Sequence, residues 1–135
     1  MHKEIFGDIY DWAGKLRTID VSKGSSYFAH AAYIDVQLSK LFVKLISDNR
    51  LLSNDKNKFT EEIVFYYSEL NAIHPFREGN GRIIRTFLRL LATNRGWNLD
   101  WSKLNGKENV RVCRSAFLGD LTPLYDMLSS MISKL

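Results

Sequence analysis

The chain has 135 residues, 45% of them hydrophobic and 13% aromatic, with a net charge of +4, which suits one packed domain and excludes a disordered tail. A single cysteine, Cys113, excludes an internal disulfide, and the absence of CxxC and HExxH spacings excludes the usual zinc sites. No apolar run reaches the roughly 20 residues a membrane helix needs, and Met1–Glu4 lacks the apolar core of a signal peptide, so the expectation is a cytoplasmic protein.

In chain order, Ile5 and Ile9 predict a short amphipathic helix ending near Gly14. From Lys15 to Phe28, Leu16, Ile19 and Val21 alternate with polar neighbours, and Gly24-Ser25-Ser26 is a turn signal. This predicts a β-hairpin, the only strand pairing expected. Ile34, Leu38, Leu41, Phe42, Leu45 and Ile46 recur at helical spacing within a helix from about 31 to 52. Thr60-Glu61-Glu62 opens a second helix, directing Ile63, Val64, Tyr67, Leu70 and Ile73 to the core. That helix stops at His74, because the residue before a proline is pushed out of the helical region. Further helices are expected over 83–94, 105–118 and 123–132, with 97–101 a short connection. The fold class is therefore all-α with one hairpin.

The chemistry concentrates in the twelve residues His74-Pro75-Phe76-Arg77-Glu78-Gly79-Asn80-Gly81-Arg82-Ile83-Ile84-Arg85. A helix N-terminus leaves N–H groups unpaired and carries partial positive charge, so it binds phosphate. Gly79 and Gly81 let a ligand approach the backbone, and Asn80 between them is expected to supply a side-chain amide donor. Arg82, Arg85 and Arg89 share a helix face, and the first two suit the distal phosphates of a nucleotide. The Glu78 carboxylate suits Mg²⁺ bridging those phosphates. His74, as neutral imidazole, suits a base that takes the proton of an incoming hydroxyl. Each residue also has an ordinary reading: a histidine at a helix end is commonly a cap, surface arginines are commonly just solvated, and glycines commonly punctuate helices. The combination at one helix entrance favours a phosphate site.

This stretch matches the signature H-P-F-x-[D/E]-G-N-G-R-x-x-R without departure, and the chain resembles the Fic family. Phe6 to Arg17 is similar to the segment leading into that family's hairpin, the flap, and the resemblance covers essentially the whole of 1–135 as a single Fic domain, with truncation at one or both ends left open. The resemblance implies a Fic fold, a helical bundle with a small β-hairpin flap, and a protein adenylyltransferase that moves AMP from ATP to a Ser, Thr or Tyr hydroxyl of a target protein. It implies His74 as general base, Glu78 as Mg²⁺ ligand, Gly79, Asn80 and Gly81 as the anion hole, and Arg82 and Arg85 on the distal phosphates. It also implies that the flap tip, Lys23, Gly24, Ser25, Ser26, Tyr27 and Phe28, docks the target as an added strand.

The Doc kinases, which transfer the γ-phosphate, carry Lys where this chain has Gly81, so Gly81 favours adenylylation, with a Doc-like kinase or another nucleotide-dependent transferase on the same fold as the alternative. A second alternative, a basic module contacting nucleic acid through Arg82, Arg85 and Arg89, leaves His74 and Glu78 without a role. Many family members carry an inhibitory [S/T]-x-x-x-E-[G/N] helix. Here Glu108-Asn109 has Leu104 four residues before the Glu, so the pattern is missing. A separate small antitoxin supplying it, as in a toxin–antitoxin pair, a segment elsewhere in a longer protein, and a lack of this regulation all stay open. Such compact domains are most often bacterial, acting in the cell's own cytosol or delivered to a host's by a secretion system.

Overall fold

The computed structural model describes residues 15–23, 26–47 and 54–135. The helix expected over 5–14 lies outside these residues, as do Gly24, Ser25 and positions 48–53. The described elements are β1 (Ser22–Lys23), β2 (Ser26–Tyr27), a 3₁₀ turn (Ala31–Tyr33), α1 (Ile34–Ser47), α2 (Lys56–Ile73), α3 (Asn80–Asn94), β3 (Trp97–Leu99), a second 3₁₀ turn (Trp101–Lys103), α4 (Gly106–Phe117), α5 (Thr122–Met131) and β4 (Ile132–Lys134). As expected, the fold is mostly helical with a small hairpin, whose register pairs Ser22 with Tyr27 and Lys23 with Ser26. No described helix is long and apolar enough to cross a membrane.

Helix α2 is the axis of the molecule, in contact with α1, α3, α4 and α5. Its buried residues, Phe59, Thr60, Ile63, Val64, Tyr66, Tyr67, Leu70 and Ile73, cover more than one face, which fits a helix surrounded by others. It begins a turn before the expected Thr60. Asp55 accepts the Asn57 N–H at 3.1 Å as N-cap, a contact worth about 1 kcal/mol, and the extra turn buries Phe59. Thr60 instead bonds back to the Lys56 carbonyl at 2.8 Å. In α1, Ile34, Leu41 and Leu45 enter the core, whereas Ile46 is 77% exposed and Phe42 is at the surface, so the apolar stripe is narrower than its spacing predicts.

Two expectations at the C-terminal end fail. The hairpin is not the only strand pairing, because β3 and β4 form a second antiparallel pair with Trp97 opposite Lys134 and Leu99 opposite Ile132. The last helix stops at Met131, since Ile132 is extended at φ −99° and ψ 130°. Burial explains both. Trp97, Leu99 and Ile132 are all in the core, and Trp97 stacks on Phe59 at 5.1 Å. Continuing the helix would have taken Ile132 away from that site.

Candidate active site

The site is made where α2 ends and α3 begins. His74 is the C-cap of α2 and takes a left-handed backbone, φ 49° and ψ 65°, with its N–H donating to the Leu70 carbonyl. It is the one non-glycine residue with positive φ among those described. A residue with a Cβ adopts that region at a cost of about 1–3 kcal/mol and needs surrounding contacts to hold it there. Two of them come from the hairpin segment. The Arg17 Nε donates to the His74 carbonyl at 2.6 Å, and the Phe28 ring stacks on the imidazole with centroids 3.9 Å apart and planes 9° from parallel.

After Pro75 the chain turns back on itself through Asn80. The Phe76 N–H donates to Asn80 Oδ1 at 2.8 Å, and Asn80 Nδ2 donates to the Phe76 carbonyl at 2.6 Å. Asn80 is buried, so its side chain is an internal clamp. This corrects the expectation of a ligand-facing amide donor: what Asn80 can offer a ligand is backbone. Gly79 precedes it as N-cap of α3 at φ 77°, a conformation open to glycine because it lacks a Cβ. The first intrahelical donation of α3 runs from the Ile83 N–H to the Gly79 carbonyl, so the preceding N–H groups stand at the positive end of a fifteen-residue helix.

His74, Glu78, Gly79, Asn80, Gly81, Arg82 and Arg85 line one open groove over this helix end. Every residue of the motif given a site role is thus brought together. Arg89, a turn further on, is exposed and outside that lining. The Arg85 guanidinium lies over Gly81, and the Arg85 carbonyl accepts the Trp101 indole N–H at 2.8 Å. Of the flap tip, Phe28 is at the site. For Lys23, Ser26 and Tyr27 only the strand backbone is described.

Adjoining the groove is a cleft of about 230 Å³ lined by Phe28, Tyr67, Asn71, His74, Gly81, Arg85, Asn109, Cys113 and Phe117. Its polar wall is a network. The Tyr67 hydroxyl donates to Asn109 Oδ1 at 2.8 Å, the Cys113 thiol approaches the same oxygen at 3.5 Å, and Asn71 Nδ2 reaches the Cys113 sulfur at 3.6 Å. Burial pushes the Tyr67 phenol up to about 12, with Cys113 adding to the shift and Arg85 opposing it.

Sequence reasoning missed this wall and also Arg17. The wall had a signal: Tyr67, Asn71 and His74 fall at i, i+4 and i+7 on α2, and Asn109 and Cys113 at i and i+4 on α4, polar groups inside helical stripes. Arg17 had none. It is 2% exposed, and burial lowers its pKa while Asp20 works against that shift.

Known proteins resemble this chain in sequence and in fold. The Fic/DOC family model matches residues 1–92. The chain is 37% identical over 99% of its length to "Protein adenylyltransferase VbhT" of Bartonella schoenbuchensis, of which it covers 27%. It is 36% identical, again over 99%, to "Probable protein adenylyltransferase Fic" of Escherichia coli K12, covering 67% of that protein. Among solved structures, BepC of Bartonella tribocorum with bound AMPPNP superposes with a TM-score of 0.89 at 24% identity, over 99% of this chain and 71% of the other. The chain therefore spans about a quarter of one curated relative and two thirds of another, and it belongs to the Fic/DOC family.

Proposed function

We propose that the chain is a protein adenylyltransferase that moves AMP from ATP to a Ser, Thr or Tyr hydroxyl of a target protein. The observation that carries this reading is the convergence of one imidazole, one carboxylate and two arginines on the N-terminal end of α3. In this reading the target hydroxyl gives its proton to His74 as its oxygen bonds to the α-phosphorus. The bond from that phosphorus to the bridging oxygen breaks, and pyrophosphate leaves. Arg82 and Arg85 bind the charge that builds on the departing phosphates, the positioning and charge stabilisation on which phosphoryl chemistry depends. The N–H groups at the start of α3 bind the anionic oxygens, and the cleft beside Tyr67 and Asn109 accommodates the nucleoside.

Glu78 fits a Mg²⁺ site. Glu78 is exposed and lines the groove together with Arg82 and Arg85. That is the chemistry of an ion held by one carboxylate and substrate phosphates, not by a protein cage. Mg²⁺ would supply charge neutralisation between the phosphate oxygens. The hairpin edge would dock the target as an added strand, and use of ATP implies a cytosol, the cell's own or a host's. A Glu pairing with Arg85, brought by a small antitoxin or by another segment of a longer protein, is compatible with this reading, as is a lack of such regulation.

Gly81 bears on the choice against a kinase. A Cβ at this position would lie 2.8 Å from Arg85 Nη1, so a lysine here would displace the arginine assigned to the distal phosphates. The deciding experiment incubates the protein with Mg²⁺, bacterial lysate and ATP labelled at either the α- or the γ-phosphate, beside a His74→Ala control. Covalent α-label that depends on His74 is expected. Label from the γ-phosphate alone would replace the reading with a kinase.

A further inference from the structure

The Arg17 guanidinium joins the two ends of the hairpin segment to the end of α2. Beyond the His74 carbonyl, Nη2 donates to the Ile73 carbonyl at 3.0 Å, Nη1 to the Ile19 carbonyl at 2.7 Å, and Nη2 also to the Ala29 carbonyl. The backbone adds two more ties, Arg17 N–H to the Pro75 carbonyl at 2.9 Å and Ala29 N–H to the Ala72 carbonyl at 3.0 Å. The last carbonyls of a helix have no intrahelical partner, and here a buried cation satisfies two of them, a favourable charge for a helix C-terminus. The planar fork matters, because five N–H donors in fixed geometry can span four carbonyls while an ammonium acts as a single point.

We infer that Arg17 is a positioning residue for His74, resting on the adenylyltransferase reading of that histidine. It acts in two ways. Directly, it holds the His74 carbonyl and so maintains the left-handed backbone that aims the imidazole at the groove. Indirectly, by fixing Ala29 it holds the preceding residue, Phe28, on the imidazole face. Backbone and ring of His74 are therefore both set by one side chain 57 residues away in sequence. A purely stabilising arginine could sit anywhere in the core. This one bonds to the carbonyl of the proposed base itself and to three others that frame it.

The test uses Arg17→Ala and, because a buried arginine's loss can unfold a protein, Arg17→Lys, each studied well below its unfolding midpoint. The expected loss is in the rate at saturating ATP, about 30- to 100-fold for Arg17→Ala, with the apparent KM for ATP within about threefold, since misplacement of a reacting group costs rate and not nucleotide binding. Arg17→Lys is expected to fold and to show a smaller loss of the same kind. The second readout does not need turnover. In the wild type, the His74 ring proton signal, identified by its disappearance in His74→Ala, should be displaced upfield by the stacked Phe28 ring. It should return to the ordinary imidazole range in whichever Arg17 variant folds. A folded variant that keeps both the wild-type rate and the displaced signal, whatever its melting temperature, would overturn the inference. If the wild type itself transfers no label, the adenylyltransferase reading fails, and the histidine signal still decides whether Arg17 sets the His74 ring.

Discussion

The Arg85 guanidinium occupies the space in which a side chain on Gly81 would begin, one helical turn before it: an added Cβ would stand 2.8 Å from Nη1 and 3.5 Å from Cζ. The obstructing atoms are the far end of a flexible side chain, so the arginine would give way and the backbone would not. Replacing glycine in a helix by alanine is itself favourable by up to about 1 kcal/mol. Gly81→Ala is therefore expected to keep or slightly raise the melting temperature while weakening ATP binding by roughly tenfold or more, the loss of one charge-assisted phosphate contact. Calorimetric titration with ATP beside thermal unfolding separates the two effects. Unchanged affinity would mean that Arg85 does not bind the nucleotide from this position.

Asn80 should behave in the opposite way. Its side chain satisfies both polar backbone groups of Phe76, and Asn80→Ala would leave a partly buried N–H and carbonyl without those partners. A cost of about 2–4 kcal/mol is expected in urea unfolding, together with loss of transfer as the loop opens. Asn80→Asp should recover little, since a carboxylate accepts the Phe76 N–H but repels the Phe76 carbonyl. A variant as stable as wild type would show that Pro75 and Gly79 alone shape the turn.

The same contrast marks how far the sequence could be read. The sequence signature names His74, Glu78, Gly79, Asn80, Gly81, Arg82 and Arg85, and local rules explain why they meet: Pro75 ends one helix, and Gly79 starts the next. What local rules do not carry is direction and distance. Asn80 reads as a donor between two glycines, yet it turns inward because Phe76 has two backbone groups to satisfy. Ile132 reads as the last residue of a helix, and its strand partner Leu99 is more than thirty residues back, a pairing without local periodicity. Arg17 is the extreme case. It closes a segment similar to the family's, yet its burial could not be read there, because all its acceptors are backbone carbonyls that a sequence does not display.

That unforeseen second sheet should matter to stability. Trp97 stacks on Phe59 in the core, and the Lys134 ammonium lies 5.0 Å from the centre of its ring. Trp97→Ala is expected to cost about 3–5 kcal/mol, the range for removing a large buried aromatic. Lys134→Ala should cost no more than about 1 kcal/mol, as for an exposed cation–π contact. Urea unfolding of the two variants measures both, and a small loss for Trp97→Ala would mean that β3 contributes little to the core.

Glu78 is exposed and lines the groove, and the proposed function gives it a phosphate-bound cation. Glu78→Gln keeps the size and one acceptor oxygen and removes the charge. The Mg²⁺ concentration for half-maximal transfer is expected to rise about tenfold, equivalent to roughly 1.4 kcal/mol. An identical Mg²⁺ titration would assign Glu78 to the shape of the loop alone.

Tyr67 gives a prediction in pH. Its phenol ionises near 10.0 when unfolded and is pushed up to about 12 in the fold, chiefly by burial. The folded state therefore holds this proton more tightly, so the associated stability is fully present below pH 10 and is lost as pH rises from about 10 to 12, on the order of 2–3 kcal/mol in all. Tyr67→Phe has no proton to lose. Near pH 8 it should be less stable than wild type by about 1 kcal/mol, for the hydrogen bond to Asn109. As pH rises past about 10 the difference should shrink and then reverse, because only the wild type must keep a buried phenol neutral. The other tyrosines titrate in both proteins and cancel in the comparison. Urea midpoints at about pH 8 and about pH 11.5 measure it, and a difference that stays constant between them would show that Tyr67 ionises in the fold as it does in water.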